Sequence, residues 1–88
     1  MPIAPASPHA RDIDSLLHPM TNILQMEEEG PLILEEGQGC YVRDTEGNEY
    51  LEGMAGLWST SLGFDNERLI QAALTQMRKL PTYHTFLG

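Results

Sequence analysis

The chain has 88 residues, with 13 acidic side chains against 5 basic ones and a formal net charge of −8. A surface of that sign repels phosphate, which sets aside nucleic acid and anionic membranes as partners, and no apolar run reaches the ~18 residues of a membrane helix. The single cysteine, Cys40, leaves no intrachain disulfide and points to a cytoplasmic location; it is expected as a buried strand residue.

Met1 to Ala10 is rich in Pro, Ala and Ser without periodicity and reads as a mobile end. Arg11 to Leu17 reads as a short helical turn with Asp12 or Asp14 near its N-terminus, stopped by His18-Pro19. Met20 to Met26 is apolar but short, and Glu27-Glu28-Glu29-Gly30 ends it as a solvated face or turn. Pro31 to Gly53 reads as a β-meander. Its strands are Leu32-Ile33-Leu34, Cys40 to Arg43 and Glu49 to Leu51, with turns at Gly37-Gln38-Gly39 and Asp44 to Asn48. Asp44 stands where its carboxylate can accept turn N–H bonds, and Gly47 where a positive φ is wanted.

Asn66 to Leu80 carries the clearest helical signal. Asn66 or Asp65 serves as N-cap, Glu67 lies in the first turn, and Arg78 and Lys79 fill the last before Pro81. Leu69, Ile70, Ala73, Leu74, Met77 and Leu80 form its apolar stripe. Two or three short strands and one amphipathic helix need covering partners. A chain of this length buries only about 60–65% of its unfolded surface, so these residues are expected to be part of a larger fold.

Familiar catalytic spacings are missing. The three histidines (His9, His18, His84) and one cysteine are scattered, no glycine loop for phosphate occurs, and Ser59-Thr60-Ser61 lacks a nucleophile elbow. Between the third strand and the helix lies Gly53-Met54-Ala55-Gly56-Leu57-Trp58, with the only tryptophan of the chain. Leu57 and Trp58 would offer a broad apolar wall with one N–H for orientation, as small-molecule pockets do; plain core packing is the alternative.

In order, the chain presents His18-Pro19-Met20-Thr21, the hairpin Gly39 to Glu52, Met54-Ala55-Gly56-Leu57-Trp58, Leu62-Gly63-Phe64, the helix, and Leu80-Pro81-Thr82-Tyr83-His84-Thr85-Phe86. Over roughly residues 11 to 88 this order resembles the N-terminal segment of the class III pyridoxal-phosphate (PLP) aminotransferases, the ω-transaminases, and most closely their amine and pyruvate subgroup. The hairpin pattern D-x-x-G-x-x-[YF]-[LI]-[DE] is characteristic of the class, and Met-Ala-Gly-Leu-Trp with the Tyr-His-Thr-Phe end is more typical of the subgroup.

The resemblance implies an α/β parent of PLP fold type I, working as a homodimer that moves an amino group from an amine or ω-amino acid to a keto acid such as pyruvate. Residues 1–30 would be an N-terminal arm with short helical turns. Residues 31–88 would be the α+β part, with meander, pocket loop and helix, lacking the large PLP-binding domain. Leu57 and Trp58 would line the substrate pocket, and Phe86 and Met20 would reach the neighbouring subunit's site; many relatives carry an aromatic at the position of Met20. The family's catalytic lysine is not matched. The only lysine, Lys79, sits beside Arg78 at a helix end, solvated, so catalytic, cofactor-binding and metal residues are expected to be none, and these residues alone are expected to be inactive. A class III decarboxylase or racemase and a non-catalytic interaction module are the alternatives.

Overall fold

A computed structural model describes residues 3–86. Met1, Pro2, Leu87 and Gly88, which fall within the expected arm and the expected C-terminal part, lie outside the described residues. The element order is α1 (Pro8–Ser15), α2 (Ile23–Glu29), β1 (Leu34–Gln38), β2 (Tyr41–Asp44), β3 (Glu49–Leu51), α3 (Ala55–Trp58) and α4 (Glu67–Lys79). The strands form one sheet in the order β1-β2-β3. The expected α+β content and three-stranded meander are therefore present. The chain divides into two compact units, one holding the segment up to Glu36 with Arg43–Glu49, the other holding Gly37–Val42 with the segment from Tyr50 onward.

In the first unit, helix α1 begins inside the stretch expected to be the mobile N-terminal end. Ser7 accepts the Ala10 N–H at 3.2 Å and Pro8 opens the helix, so α1 starts earlier than expected and Asp12 and Asp14 lie well past its first turn. A serine cap followed by proline at the first helical position is a start signal that composition alone conceals. Asp12 instead meets the ring of His18, with His18 Nε2 2.5 Å from Asp12 Oδ2, which ties the segment after α1 back onto the helix. Helix α2 starts at Asn22, whose side chain accepts the Gln25 N–H, and takes in the glutamate triplet as its last turn. Gly30 then ends it with φ 84°, its N–H bonding to Met26 O at 2.8 Å. Met26 is the one buried apolar residue of these two helices among the described residues.

The sheet is shifted from its expected position. β1 starts at Leu34, and Gly37 and Gln38 belong to the strand rather than to a turn, leaving Gly39 and Cys40 as the connection. Cys40 is accordingly exposed in that turn, not buried in a strand. The misreading has a physical cause, because Leu32-Ile33-Leu34 is the apolar run while the paired backbone lies in the polar stretch after it. On β2 the side chains of Val42 and Asp44 point inward and those of Tyr41 and Arg43 outward, as period-2 alternation requires. Arg43 reaches Glu36 at 3.2 Å and Glu49 at 3.4 Å, a cross-strand pairing of exposed groups.

In the second unit, Gly39 is held at both its N–H and its carbonyl. Its N–H donates to Asp65 Oδ1 at 2.8 Å and its carbonyl accepts the Phe64 N–H at 3.0 Å. Phe64 lies so close to Gly37 that a Cβ there would stand 2.6 Å from the phenylalanine Cβ. Asp65 is thus occupied with the turn, and Asn66 caps α4 by accepting the Leu69 N–H at 3.2 Å. The helix ends as expected, with Glu67 in its first turn and Arg78 and Lys79 in its last. Its apolar stripe, Leu69, Ile70, Leu74, Met77 and Leu80, is exposed.

Candidate functional site

Trp58 does not sit in an irregular loop. It closes α3, a single helical turn in which Ala55, Gly56, Leu57 and Trp58 all have positive φ, at 50°, 61°, 64° and 68°. The turn is hydrogen-bonded as a helix is, Trp58 N–H to Met54 O and Ser59 N–H to Ala55 O, both at 2.8 Å, but it winds left-handed. For L-residues that hand costs on the order of 1–2 kcal/mol per residue, and only one of the four is glycine. Gly56 is required here twice over. Besides its φ, a Cβ would stand 2.8 Å from Thr60 Oγ1 and 3.3 Å from Ser59 Oγ.

Three side chains hold the turn. Glu52 lies just before it, and its two carboxylate oxygens accept the N–H groups of Met54 at 2.9 Å and Gly56 at 3.0 Å. Behind it, Thr60 donates its hydroxyl to Ala55 O at 2.6 Å and Ser59 donates to Gly56 O at 2.9 Å. Hydrogen bonds to a charged acceptor contribute about 1.5–3 kcal/mol each, enough to offset strain of this size. The outcome is a hydrogen-bonded pedestal presenting an indole that is 84% exposed, with Leu57 beside it. Strained backbone maintained at a cost is characteristic of working sites.

Of the other expected site residues, Phe86 closes a cluster of rings in the same unit. Tyr83 stacks on His84 with centroids 4.3 Å apart, and His84 meets Phe86 at 4.7 Å. The Phe86 N–H donates to His84 Nδ1 at 3.2 Å, so that ring nitrogen is already engaged. Met20 belongs to the first unit, fully exposed, with a positive φ of 53°. The first unit also has an open cleft of about 390 Å³ lined by His18, Asn22, Gln25, Met26, Glu29 and Pro31, which the sequence does not announce. Among the described residues no group of three or more His, Cys, Asp or Glu could hold a metal ion, and no helix is long and apolar enough to cross a membrane.

The sequence model of class-III aminotransferases matches residues 24–87. The chain belongs to that family. A putrescine–pyruvate aminotransferase of Pseudomonas aeruginosa is 45% identical over 73 residues, covering 83% of this chain and 16% of that protein. The crystal structure of the ω-transaminase of Pseudomonas jessenii in complex with PMP superposes with a TM-score of 0.81 at 52% identity, over 93% of this chain and 18% of the other. A thermostable ω-transaminase variant, W58G, described as engineered for asymmetric synthesis of enantiopure bulky amines, matches at 53% identity and TM-score 0.81 over 92% of this chain and 18% of its own. The chain thus spans about a sixth of the length of the curated relatives it matches.

Aminotransferases of this class carry PLP on a lysine. The residues here do not fit that task. Lys79 is the only lysine of the chain and lies exposed in the last turn of α4. What the aminotransferase segment offers is a shaped apolar surface, and Glu52 and Thr60, which build it, escaped sequence reasoning. Glu52 reads there only as the end of the hairpin pattern, and nothing in Ala55, Leu57 or Trp58 signals positive φ. The one available cue was the carboxylate followed at short spacing by Gly53 and Gly56.

Proposed function

We propose that these residues form one wall of the substrate pocket in a PLP-dependent aminotransferase that moves an amino group from an amine or ω-amino acid to a keto acid such as pyruvate. The observation that carries the reading is the left-handed turn, a strained backbone held by three side chains so that an exposed indole and Leu57 face outward. Its support from relatives is chemical. Putrescine and pyruvate are the substrate pair in the name of the P. aeruginosa relative, and the ω-transaminase variant engineered for bulky amines carries its substitution at a tryptophan that also bears the number 58.

The wall works by excluding volume and water. An indole fixed beside the reacting amine leaves room for small or flat substituents and none for large ones, and its surface is dry enough to favour an apolar amine over water. The amino-transfer chemistry comes from PLP held elsewhere in the enzyme. Phe86 and Met20 extend the wall from the neighbouring subunit of a homodimer, a reading supported by their exposure and by the uncovered stripe of α4, since apolar faces of that extent mark surfaces that pack against protein. A cytoplasmic location is proposed on the single free cysteine, exposed at Cys40.

In the enzyme that carries this segment, Trp58→Ala raises kcat/KM for a bulky amine relative to a small one by about tenfold, the size expected from removing one buried-group clash, with cofactor content unchanged. Loss of PLP with an unaltered donor preference overturns the reading.

A further inference from the structure

Trp58 can act as a wall only if its position is fixed, and the residues that fix it are not those that touch substrate. We infer that Glu52 and Thr60 are positioning residues for amine selectivity, clamping the left-handed turn from its two ends; the inference rests on the reading of Trp58 as pocket wall. Glu52 takes the Met54 and Gly56 N–H groups on separate oxygens, which orients the Gly53–Met54 peptide and the Ala55–Gly56 peptide. Thr60 Oγ1 binds Ala55 O at 2.6 Å, and the Thr60 N–H donates to the same carbonyl at 2.8 Å. The carbonyl of the first left-handed residue is therefore held from behind by two groups of Thr60 beside the Ser59 N–H, while the N–H of the second is held from in front.

The clamp opposes a definite alternative. Ala55, Leu57 and Trp58 all have right-handed or extended conformations open to them that sterics favour, and reversion at any of them swings the indole away from the direction it now takes. The two ends are not interchangeable in what a substitution removes. Glu52→Gln keeps the length of the side chain but replaces one acceptor oxygen by an NH2 group, which cannot accept from a peptide N–H. Thr60→Val keeps the shape and removes the donor, whereas Thr60→Ser keeps the donor. Ala55→Gly supplies the missing conformational freedom without any clamp, because glycine takes positive φ at no steric cost.

The experiment uses the full aminotransferase chain, with two readouts. The first is the ratio of kcat/KM for a bulky and a small amine donor. Glu52→Gln and Thr60→Val shift it by about tenfold, Thr60→Ser leaves it in place, and Ala55→Gly added to either defective variant restores it. On a Trp58→Ala background Glu52→Gln adds no further shift. The second is the 19F resonance of 5-fluorotryptophan at position 58, assigned by its loss in Trp58→Phe; it is single in the parent, broadened or split in Glu52→Gln and Thr60→Val, and sharpened again by Ala55→Gly. A donor ratio that moves with Trp58→Ala but not with Glu52→Gln or Thr60→Val overturns the positioning role and leaves the pocket wall standing. A ratio indifferent to Trp58→Ala overturns the pocket wall instead, and the resonance then decides the clamp: unchanged in both variants, it sinks that too.

Discussion

Two turns of this chain are each organised by one carboxylate, and they spend it differently. In the hairpin turn after β2, Asp44 is buried to 3% exposure and accepts from Glu46 N–H at 2.9 Å, Asn48 N–H at 2.9 Å and Asn48 Nδ2 at 3.0 Å. The positive φ of that turn, 88°, falls on Gly47, where it costs nothing. In the turn after Glu52 positive φ falls on Ala55, Leu57 and Trp58 as well as Gly56. The first turn is relaxed and closes a hairpin. The second is strained and displays a ring. Strain without a structural need is what separates a displayed surface from a connection.

That comparison can be broken in four places. The largest effect is expected from Gly56→Val, which puts a branched Cβ against Thr60 Oγ1 at a positive φ and should cost about 2–3 kcal/mol, read as a lower urea midpoint at unchanged slope, with donor selectivity lost. Next is Asp44→Ala. It strands two peptide N–H groups, with an expected loss of about 2 kcal/mol and no change in donor preference; a change in preference with stability intact would collapse the distinction between the two turns. Leu57→Gly has the opposite sign. Relief of left-handed strain outweighs the added freedom of the unfolded chain by about 0.5–1 kcal/mol, so the midpoint rises while selectivity between amines loosens. The smallest effect belongs to Arg43→Met, since Arg43 pairs with the exposed Glu36 and Glu49; at most about 0.5 kcal/mol is lost, and added salt erases it.

Legibility in the sequence follows the range of the interactions. Helix α4 was readable to within a residue because its cap, charges and stripe are all local, and β3 and the Asp44 turn were readable for the same reason. The family was readable too, since an ordered string of short motifs survives without any knowledge of packing. β1 was misplaced because pairing with β2 decided its limits over the pull of an apolar run. The start of helix α1 was placed too late because Pro, Ala and Ser dominate its approach, although the cap that starts it is local. Cys40 went to the turn once the strands had shifted, and the wrong burial followed from the wrong register.

The sequence by itself determined the acidic character of the chain, its amphipathic helix, the hairpin pattern and the family to which it belongs. These depend on residue type and spacing, which the chain carries openly. Only the tertiary structure decided that Trp58 stands on a left-handed turn and that Glu52 and Thr60 hold it there. Handedness against the preference of L-residues cannot be read from the residues that adopt it. It is imposed by hydrogen bonds from both flanks, which are as local as those of the Asp44 turn but fall on residue types that carry no signal of that hand.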